Sequence, residues 1–339
     1  MEYRQLGRTG LRVSALGFGC GSVGGLLVRG DHKDIVEAVA YAIESGINYF
    51  DTARSYGDGR SETNLGLAIK ELAAEVVIGT KVDLRTEEMD DIEGSVIASV
   101  EGSLKRLGCD RVDLIQLHNP IASQRRPGRG WVSIDDVEAA LQAFEKLKEQ
   151  GKVGQYGING LGETAAIHKI IATGLAETTQ TAYNLLNPSA GQRVPHDFPF
   201  QNYEQLIDRA VEMQMGTIAI RVLAAGALSG SMARHRTAAQ GVGPIGTSAS
   251  YAEDVALAQR FSFLVDEGHV DSLIEAAIRF VIGNAAVSTT LVGLSNMAQL
   301  EQAIAFANKG PLPVLAVDHL NEFWANVADI EDTTLGQTH

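Results

Sequence analysis

The stretch DIVEAVAYAIESGINYFD, residues 34–51, contains the unit from which the fold prediction is built. Its apolar residues recur at helical spacing as far as Ile43, and Gly46 is a typical helix stop. The run INYF that follows has the composition of a short buried strand, and it ends at the carboxylate of Asp51. A helix that leads directly into a buried strand is the repeating element of parallel α/β folds.

The same alternation of helical patterns and short apolar runs continues along almost the whole chain. We interpret as strands the runs 13–19, 47–51, 76–81, 112–118, 153–158, 178–184, 217–222 and 288–294. Apolar strands separated by single helices predict a parallel sheet covered by helices, and eight such units predict a (β/α)8 TIM barrel. A doubly wound open sheet is the alternative. It is less well supported because the glycine-rich segment GFGCGSVGG, residues 17–25, does not lead directly into a long helix.

Segments outside the eight units also have a predicted place in the barrel. Residues 1–14 predict an N-terminal β-hairpin that turns at the tripeptide RTG and closes the bottom of the barrel. Two long loops, 119–134 and 224–250, follow the carboxyl ends of strands, which is where barrel enzymes build their sites. From about residue 312 the pattern predicts a C-terminal helix and a loose tail. All of these segments are expected to belong to one domain, 1–339.

Composition and charge exclude several classes of function. The chain is 45% hydrophobic and 21% charged, which is typical of a globular protein, and its net charge of -14 argues against a nucleic-acid partner. The basic cluster QRRPGRG, residues 124–130, is either a solvated loop or a site for an anionic ligand. No apolar run approaches the roughly 20 residues that span a membrane, and the N-terminus lacks a signal-like region, so a cytoplasmic protein is expected. Cys20 and Cys109 are too few for a disulfide framework.

Four polar residues lie at the ends of successive predicted strands. Asp51, Lys81 and His118 end the second, third and fourth strands, and Tyr56 follows on the loop after the second. Taken singly, they are also compatible with a helix cap, a surface lysine, a satisfied polar residue and a loop aromatic. Together they form a self-consistent proton-transfer site. A nearby ammonium lowers the pKa of a phenol, a carboxylate keeps a buried ammonium charged, and a neutral imidazole orients a carbonyl oxygen.

The motifs FDTARSYGDGRSE, IGTK and DLIQLHN resemble those of the aldo-keto reductase superfamily, whose catalytic tetrad is Asp, Tyr, Lys and His in this order. The opening YRQLGRTGLRVSALGFGCG is similar to the branch of bacterial aldose dehydrogenases and potassium-channel β subunits. The resemblance covers residues 3 to 307. It implies a barrel that binds NADPH or NADH without a Rossmann fold, Tyr56 as general acid and base, and a small-molecule carbonyl or sugar substrate. No metal is expected, and no metal-binding motif is present.

The resemblance also implies a set of cofactor contacts. Asn159 and Gln180 would hold the nicotinamide carboxamide, and Arg221 replaces the aromatic residue that many relatives place under the ring. In the adenosine segment GLSNMAQLEQA, Gln302 replaces a glutamate and no lysine or arginine is available for a 2′-phosphate, so NADPH and NADH both stay open. The implied cofactor-binding residues are Gly19, Cys20, Gly21, Asp51, Asn159, Gln180, Arg221, Leu223, Ala225, Leu228, Ser229, Gly293, Ser295, Gln299 and Gln302.

Three functions are compatible with these features. The leading hypothesis is an NAD(P)-dependent oxidoreductase that interconverts an aldehyde, ketone or sugar carbonyl with its alcohol. The alternative is a cofactor-sensing regulatory subunit with little turnover, as the similarity to channel β subunits suggests. A third hypothesis is a lyase or isomerase with an unrelated barrel fold. The intact tetrad favours the enzyme, while the substrate, the direction and the oligomeric state stay open.

Overall fold

The computed structural model describes residues 1–126, 128, 130–245 and 249–326. The β-strands of these ranges are β1 Tyr3–Gln5, β2 Arg12–Ser14, β3 Leu16–Gly19, β4 Tyr49–Asp51, β5 Val77–Val82, β6 Val112–Leu117, β7 Val153–Gly160, β8 Thr178–Ala182, β9 Gly216–Ile220 and β10 Thr289–Gly293. Strands β3 to β10 form a closed barrel in the order β10–β3–β4–β5–β6–β7–β8–β9, and every neighbouring pair is parallel. The predicted (β/α)8 barrel is confirmed.

Helices connect the barrel strands and cover the outside of the sheet. The α-helices of the described residues are α1 Leu26–Arg29, α2 His32–Glu44, α3 Arg60–Leu72, α4 Ile92–Leu107, α5 Ile134–Glu149, α6 Thr164–Thr173, α7 Leu206–Glu212, α8 Tyr251–Gln259, α9 Phe263–Asp266, α10 Leu273–Gly283, α11 Met297–Asn308 and α12 Val314–Ala325. Helix α2 buries Ile35 and Val39 on one face and is followed by Gly46 with φ of +90°, a backbone conformation that favours glycine. Within the part of the chain that the structure describes, no helix is both long and apolar enough to cross a membrane.

The first predicted strand, 13–19, is wrong as a single element. The hairpin strand β2 ends at Ser14, and the barrel strand β3 begins at Leu16. Ala15 between them joins two sheets: its N–H donates to the Glu2 carbonyl at 2.9 Å, and its own carbonyl accepts from Thr290 at 2.9 Å. The apolar pattern runs through both strands, and the change of hydrogen-bonding partners at Ala15 divides them. The other seven predicted strands are confirmed, with ends within two residues of the observed ones.

The N-terminal hairpin closes the amino-terminal end of the barrel, as predicted. Strands β1 and β2 pair antiparallel, and the turn between them contains a short 3-10 helix, Gly7–Thr9. Arg8 in this turn donates hydrogen bonds to the carbonyl groups of Met213 and Ala176 at 2.8 and 2.9 Å. The hairpin contributes two fully buried side chains to an apolar cluster with side chains of the barrel strands. The buried members of this cluster are Leu6, Val13, Tyr49, Leu114, Ile218 and Leu291.

The basic cluster at 124–130 is neutralised by carboxylates of the same chain where the structure describes it. Arg125 donates to Asp136 at 2.8 Å, and Arg126 forms an ion pair with Glu163. Arg126 also lies over the ring of Trp131, 4.4 Å from its centroid. These contacts favour the interpretation as a solvated loop over a site for an anionic ligand.

The second long loop, 224–250, begins with a 3-10 helix, Ala224–Ser229, and then crosses towards the loop after β3. There the N–H of Ala239 donates to the Val23 carbonyl at 3.0 Å, and Arg29 donates to the Thr237 carbonyl at 2.7 Å. The predicted C-terminal helix is α12, which is anchored by a hydrogen bond of 3.0 Å from Trp324 to the Leu185 carbonyl. Most of the predicted tail lies outside the described residues.

Candidate active site

The carboxyl ends of β4, β5 and β6 bring the four predicted polar residues to one rim of the barrel. Asp51 is the last residue of β4, Lys81 lies near the end of β5, and His118 directly follows β6. Tyr56 lies in the turn between β4 and α3. Because parallel strands meet at one edge of the sheet, residues far apart in sequence become neighbours here.

A buried ion pair forms the base of this site. The Lys81 ammonium is 1% exposed and forms an ion pair with Asp51. It also donates to the Thr52 carbonyl at 2.7 Å and lies 4.9 Å from the centroid of the Tyr56 ring. A buried ammonium needs such a set of partners because removing it from water without them is costly.

The second oxygen of the Asp51 carboxylate accepts two further hydrogen bonds, from the Tyr49 hydroxyl at 3.1 Å and from the Gln180 amide at 2.6 Å. The sequence pointed Gln180 towards a nicotinamide carboxamide and did not single out Tyr49. Strand alternation could have indicated Tyr49, because residues two apart on a strand, such as Tyr49 and Asp51, face the same side. Gly79 makes room for the Tyr49 hydroxyl, because a Cβ at that position would lie 2.5 Å from it.

His118 stands edge-on to the Tyr56 ring, with centroids 5.7 Å apart and an angle of 83° between the planes. Its Nδ1 lies 3.4 Å from the Ser55 hydroxyl oxygen. Burial, followed by the positive charges of Lys81 and Arg221, lowers the pKa of His118 to about 3. The imidazole is therefore neutral near pH 7, and a neutral ring carries one N–H that can point at a carbonyl oxygen.

Two opposing effects act on Tyr56. Burial raises the pKa of the Tyr56 phenol, Lys81 lowers it, and the net direction is upward. The expectation that the ammonium lowers the pKa thus describes one contribution, which burial outweighs. Burial also opposes the charge of Lys81, but Asp51 and Tyr56 outweigh it and raise the pKa of Lys81. The phenol stays protonated and the ammonium stays charged, which is the pairing needed to donate a proton.

A cavity of about 450 Å³ opens beside these residues and extends along the rim. Tyr56 and His118 line it, whereas Lys81 does not. The side chains of Cys20 and Leu228 belong to the hydrophobic core instead. The other residues predicted to contact a cofactor all line the cavity: Gly19, Gly21, Asp51, Asn159, Gln180, Arg221, Leu223, Ala225, Ser229, Gly293, Ser295, Gln299 and Gln302.

Two polar groups in this cavity have unfilled capacity for a ligand. Asn159 donates to the His118 carbonyl at 3.2 Å, and its Oδ1 is buried without a hydrogen-bond partner among the described residues. Arg221 has a φ of +59°, a strained conformation for a residue with a side chain. In the described ranges its guanidinium has no hydrogen bond or ion pair, and burial lowers its pKa. Such groups fit a ligand that brings an amide donor and an anion.

The far end of the cavity differs in part from expectation. Asn296 caps α11, and the hydroxyl of Ser295 directly before it donates to the Gly24 carbonyl at 2.8 Å. Arg234 and His235 also line this cavity, although no sequence motif pointed to them. Arg234 is held by hydrogen bonds to the Ala225 carbonyl at 2.7 Å and the Tyr251 hydroxyl at 2.9 Å.

Comparisons with known proteins agree with this architecture. A family model described as "Aldo/keto reductase family" matches residues 15–325. The chain is 26% identical to aldo-keto reductase YhdN of Bacillus subtilis (strain 168), over 89% of this chain and 87% of that protein. It is 35% identical to a putative voltage-gated potassium channel subunit beta of Schizosaccharomyces pombe (strain 972 / ATCC 24843), over 57% of this chain and 53% of that protein.

A solved structure extends the likeness to the whole fold. Aldo-keto reductase AKR11C1 from Bacillus halodurans, in its holo form, matches with a TM-score of 0.70 and 26% identity over 96% of both chains. The family model covers nearly the same span as the barrel, its helices and the four rim residues. The chain therefore belongs to the aldo/keto reductase family of oxidoreductases.

Proposed function

We propose that this protein is an NAD(P)-dependent enzyme that transfers hydride between nicotinamide C4 and the carbonyl carbon of an aldehyde, ketone or sugar. The observation that carries the proposal is the buried Lys81–Asp51 pair beside the Tyr56 ring, with neutral His118 edge-on to it, on a cavity of about 450 Å³. This arrangement supports proton transfer to and from an oxygen atom placed between the phenol and the imidazole.

In the direction of reduction, Tyr56 donates its phenolic proton to the carbonyl oxygen as that oxygen gains negative charge. The phenolate left behind is stabilised by the Lys81 ammonium, whose charge is maintained by Asp51. His118 donates a hydrogen bond from its neutral ring to the same carbonyl oxygen. In the reverse direction the phenolate accepts the proton of the alcohol.

The bound cofactor, NADPH or NADH, supplies or accepts the hydride at C4. Asn159 would accept a hydrogen bond from the carboxamide N–H through its unpartnered oxygen. Gln180 would contact the same carboxamide while its own amide donates to Asp51. Arg221 would face the nicotinamide or the adjacent phosphate. Ala224, Ala225 and Gly226 have positive φ values, and the N–H groups of Ala224 and Gly226 donate within this tight turn, which would lie beside the pyrophosphate. Gly293, Ser295, Gln299 and Gln302 would line the adenosine end.

Replacement of Tyr56 by Phe tests the proposal directly. The variant keeps the ring and loses the proton, so turnover of any carbonyl substrate is expected to fall by about 10³-fold or more. The dissociation constants of NADPH and NADH, measured by fluorescence titration, should change less than about threefold. Turnover equal to that of the parent protein would exclude Tyr56 as the general acid.

A second function is favoured by the similarity to a potassium channel subunit beta. A cofactor-sensing subunit would bind NADPH or NADH tightly and turn over carbonyl compounds negligibly. A panel of aldehydes, methylglyoxal and aldoses, measured with the cofactor that binds more tightly, separates the two functions. Steady-state turnover that disappears in the Tyr56→Phe variant supports the enzyme, whereas tight binding without turnover supports the sensor.

A further inference from the structure

A cluster of three metal-ligating side chains lies away from the candidate active site. Glu267 follows α9, His269 lies in the turn before α10, and His319 is in the middle of α12. His319 Nδ1 lies 2.7 Å from Oε2 of Glu267, and His269 Nε2 lies 3.1 Å from the same oxygen. All three ligating atoms lie within 4.8 Å of one another.

The atoms of this cluster match the ligands of a zinc ion in number and kind. Zinc in proteins takes imidazole nitrogens and carboxylate oxygens at about 2.0–2.1 Å, so neighbouring ligand atoms of a tetrahedron lie about 3.3 Å apart. The two distances to the Glu267 oxygen, 2.7 and 3.1 Å, are hydrogen-bond distances that lie below this spacing. A zinc ion would replace these two hydrogen bonds, with the three atoms at three corners of a tetrahedron and water at the fourth.

The surroundings hold the three side chains in place. The His269 side chain is 15% exposed, and its backbone N–H donates to the Leu264 carbonyl at 3.0 Å, which fixes the turn. The ring centroids of His269 and His319 are 5.8 Å apart, and those of His319 and Phe263 are 6.3 Å apart. Phe323 packs against the same ring of Phe263. The neighbouring rings limit the movement of the two imidazoles. The half-exposed carboxylate of Glu267 leaves a path by which a metal ion can enter.

We propose that Glu267, His269 and His319 bind one divalent transition-metal ion, with zinc the best match to the donor set. The ion would cross-link α12 to the turn that precedes α10. Helix α10 carries Ile274 and Ile278, which line the catalytic cavity, so the cross-link would secure that wall of the cavity to the C-terminal helix. The proposal does not depend on the chemistry of Tyr56.

Zinc binding to the full chain tests the site. After removal of metals with a chelator, equilibrium dialysis at pH 7.5 with micromolar zinc should load one ion per chain. Zinc should also raise the melting temperature by about 2–4 °C, because an ion that binds the folded chain alone stabilises it. Magnesium at the same concentration should do neither, since it prefers oxygen ligands.

Three variants assign the binding to these side chains. His319→Gln removes one imidazole, and Glu267→Gln keeps the shape of a half-exposed side chain while removing its charge; each should lose the bound zinc and the melting shift. His32→Gln is the matched control, because His32 contacts Glu71 at 2.8 Å on the surface and this pair has no third possible ligand beside it in the part of the chain that the structure describes. This control should bind zinc like the parent. Less than about 0.2 equivalents on the parent chain, or full binding in both cluster variants, would overturn the site.

Discussion

The two ends of the barrel are built from the same eight strands, but one end is apolar and closed and the other is polar and open. At the amino-terminal end the hairpin inserts Leu6 and Val13 among Leu114 and Ile218, and the interior is apolar and closed. At the carboxyl-terminal end the interior carries an ion pair, two amides and a neutral imidazole beside an open cavity. Tyr49 belongs to both ends, with its ring in the apolar cluster and its hydroxyl on Asp51.

The comparison shows why a charged pair is tolerated in the middle of the protein. The hairpin closes the amino-terminal end of the barrel around the Tyr49 ring. Hydrogen bonds from Tyr49 and Gln180 replace the water that the Asp51 carboxylate loses. Stability should thus depend on apolar packing at one end and on complete polar pairing at the other. Three changes test this division.

The largest effect is expected at the polar end. Lys81→Met leaves Asp51 buried without its cation, so the free energy of unfolding should fall by about 3–5 kcal/mol and turnover by about 10³-fold or more. Denaturant unfolding and steady-state kinetics measure both. Lys146→Met, which removes an exposed ion pair with Glu93, is the control and should cost less than about 1 kcal/mol. Similar losses in the two variants would contradict the special position of Lys81.

A change at the apolar end should affect stability alone. Leu6→Ala creates a cavity in the closed end and should lower the free energy of unfolding by about 2–5 kcal/mol. Below the melting transition, turnover and cofactor affinity should stay within about twofold of the parent. Leu67→Ala, at a half-exposed position on α3, is the control with little expected effect. A large loss of kcat in Leu6→Ala at an unchanged fold would show that the two ends are not independent.

The third test uses pH. His118 has a folded-state pKa of about 3, below its ordinary 6.5. Between these values the unfolded chain binds a proton that the folded chain excludes, so this residue makes stability rise with pH and contributes fully above about pH 6.5. Unfolding measured from pH 4 to 7 in the parent and in His118→Gln isolates this contribution as the difference in slope. Parallel curves would show that folding does not lower the pKa of His118.

The position of the rim residues could be predicted because it follows from a simple pattern. Asp51, Lys81 and His118 each come at or near the carboxyl end of an apolar run, and parallel strands align those ends. The hairpin was predictable from another local signal, since the turn tripeptide RTG lies shortly before the first apolar run. The residue at which the chain changes sheets, Ala15, was not, because the change consists of new hydrogen-bonding partners and no turn motif marks it.

Other parts of the site depend on distances that no local pattern encodes. Gln180 was assigned to a ligand, yet its amide reaches Asp51 across the barrel. Arg234 lies in a loop rich in Gly, Ala and Ser, where spacing carries no signal, and only the fold of this loop brings it to the cavity. The cluster of Glu267, His269 and His319 is also hidden in the sequence, because its third member is on a helix that follows much later in the chain.

The hydrogen bond between Gln180 and Asp51 has a mechanical consequence. In the ring of eight strands, β4 and β8 are four steps apart in either direction, so this contact spans the full diameter of the barrel. It connects two opposite walls of the barrel at the rim. A substrate or cofactor that pushed the rim outwards on one side would stretch this hydrogen bond and move Asp51. The Lys81 ammonium beside Tyr56 would move with it. We therefore expect the width of the rim to affect the proton affinity of Tyr56 through Asp51 and Lys81.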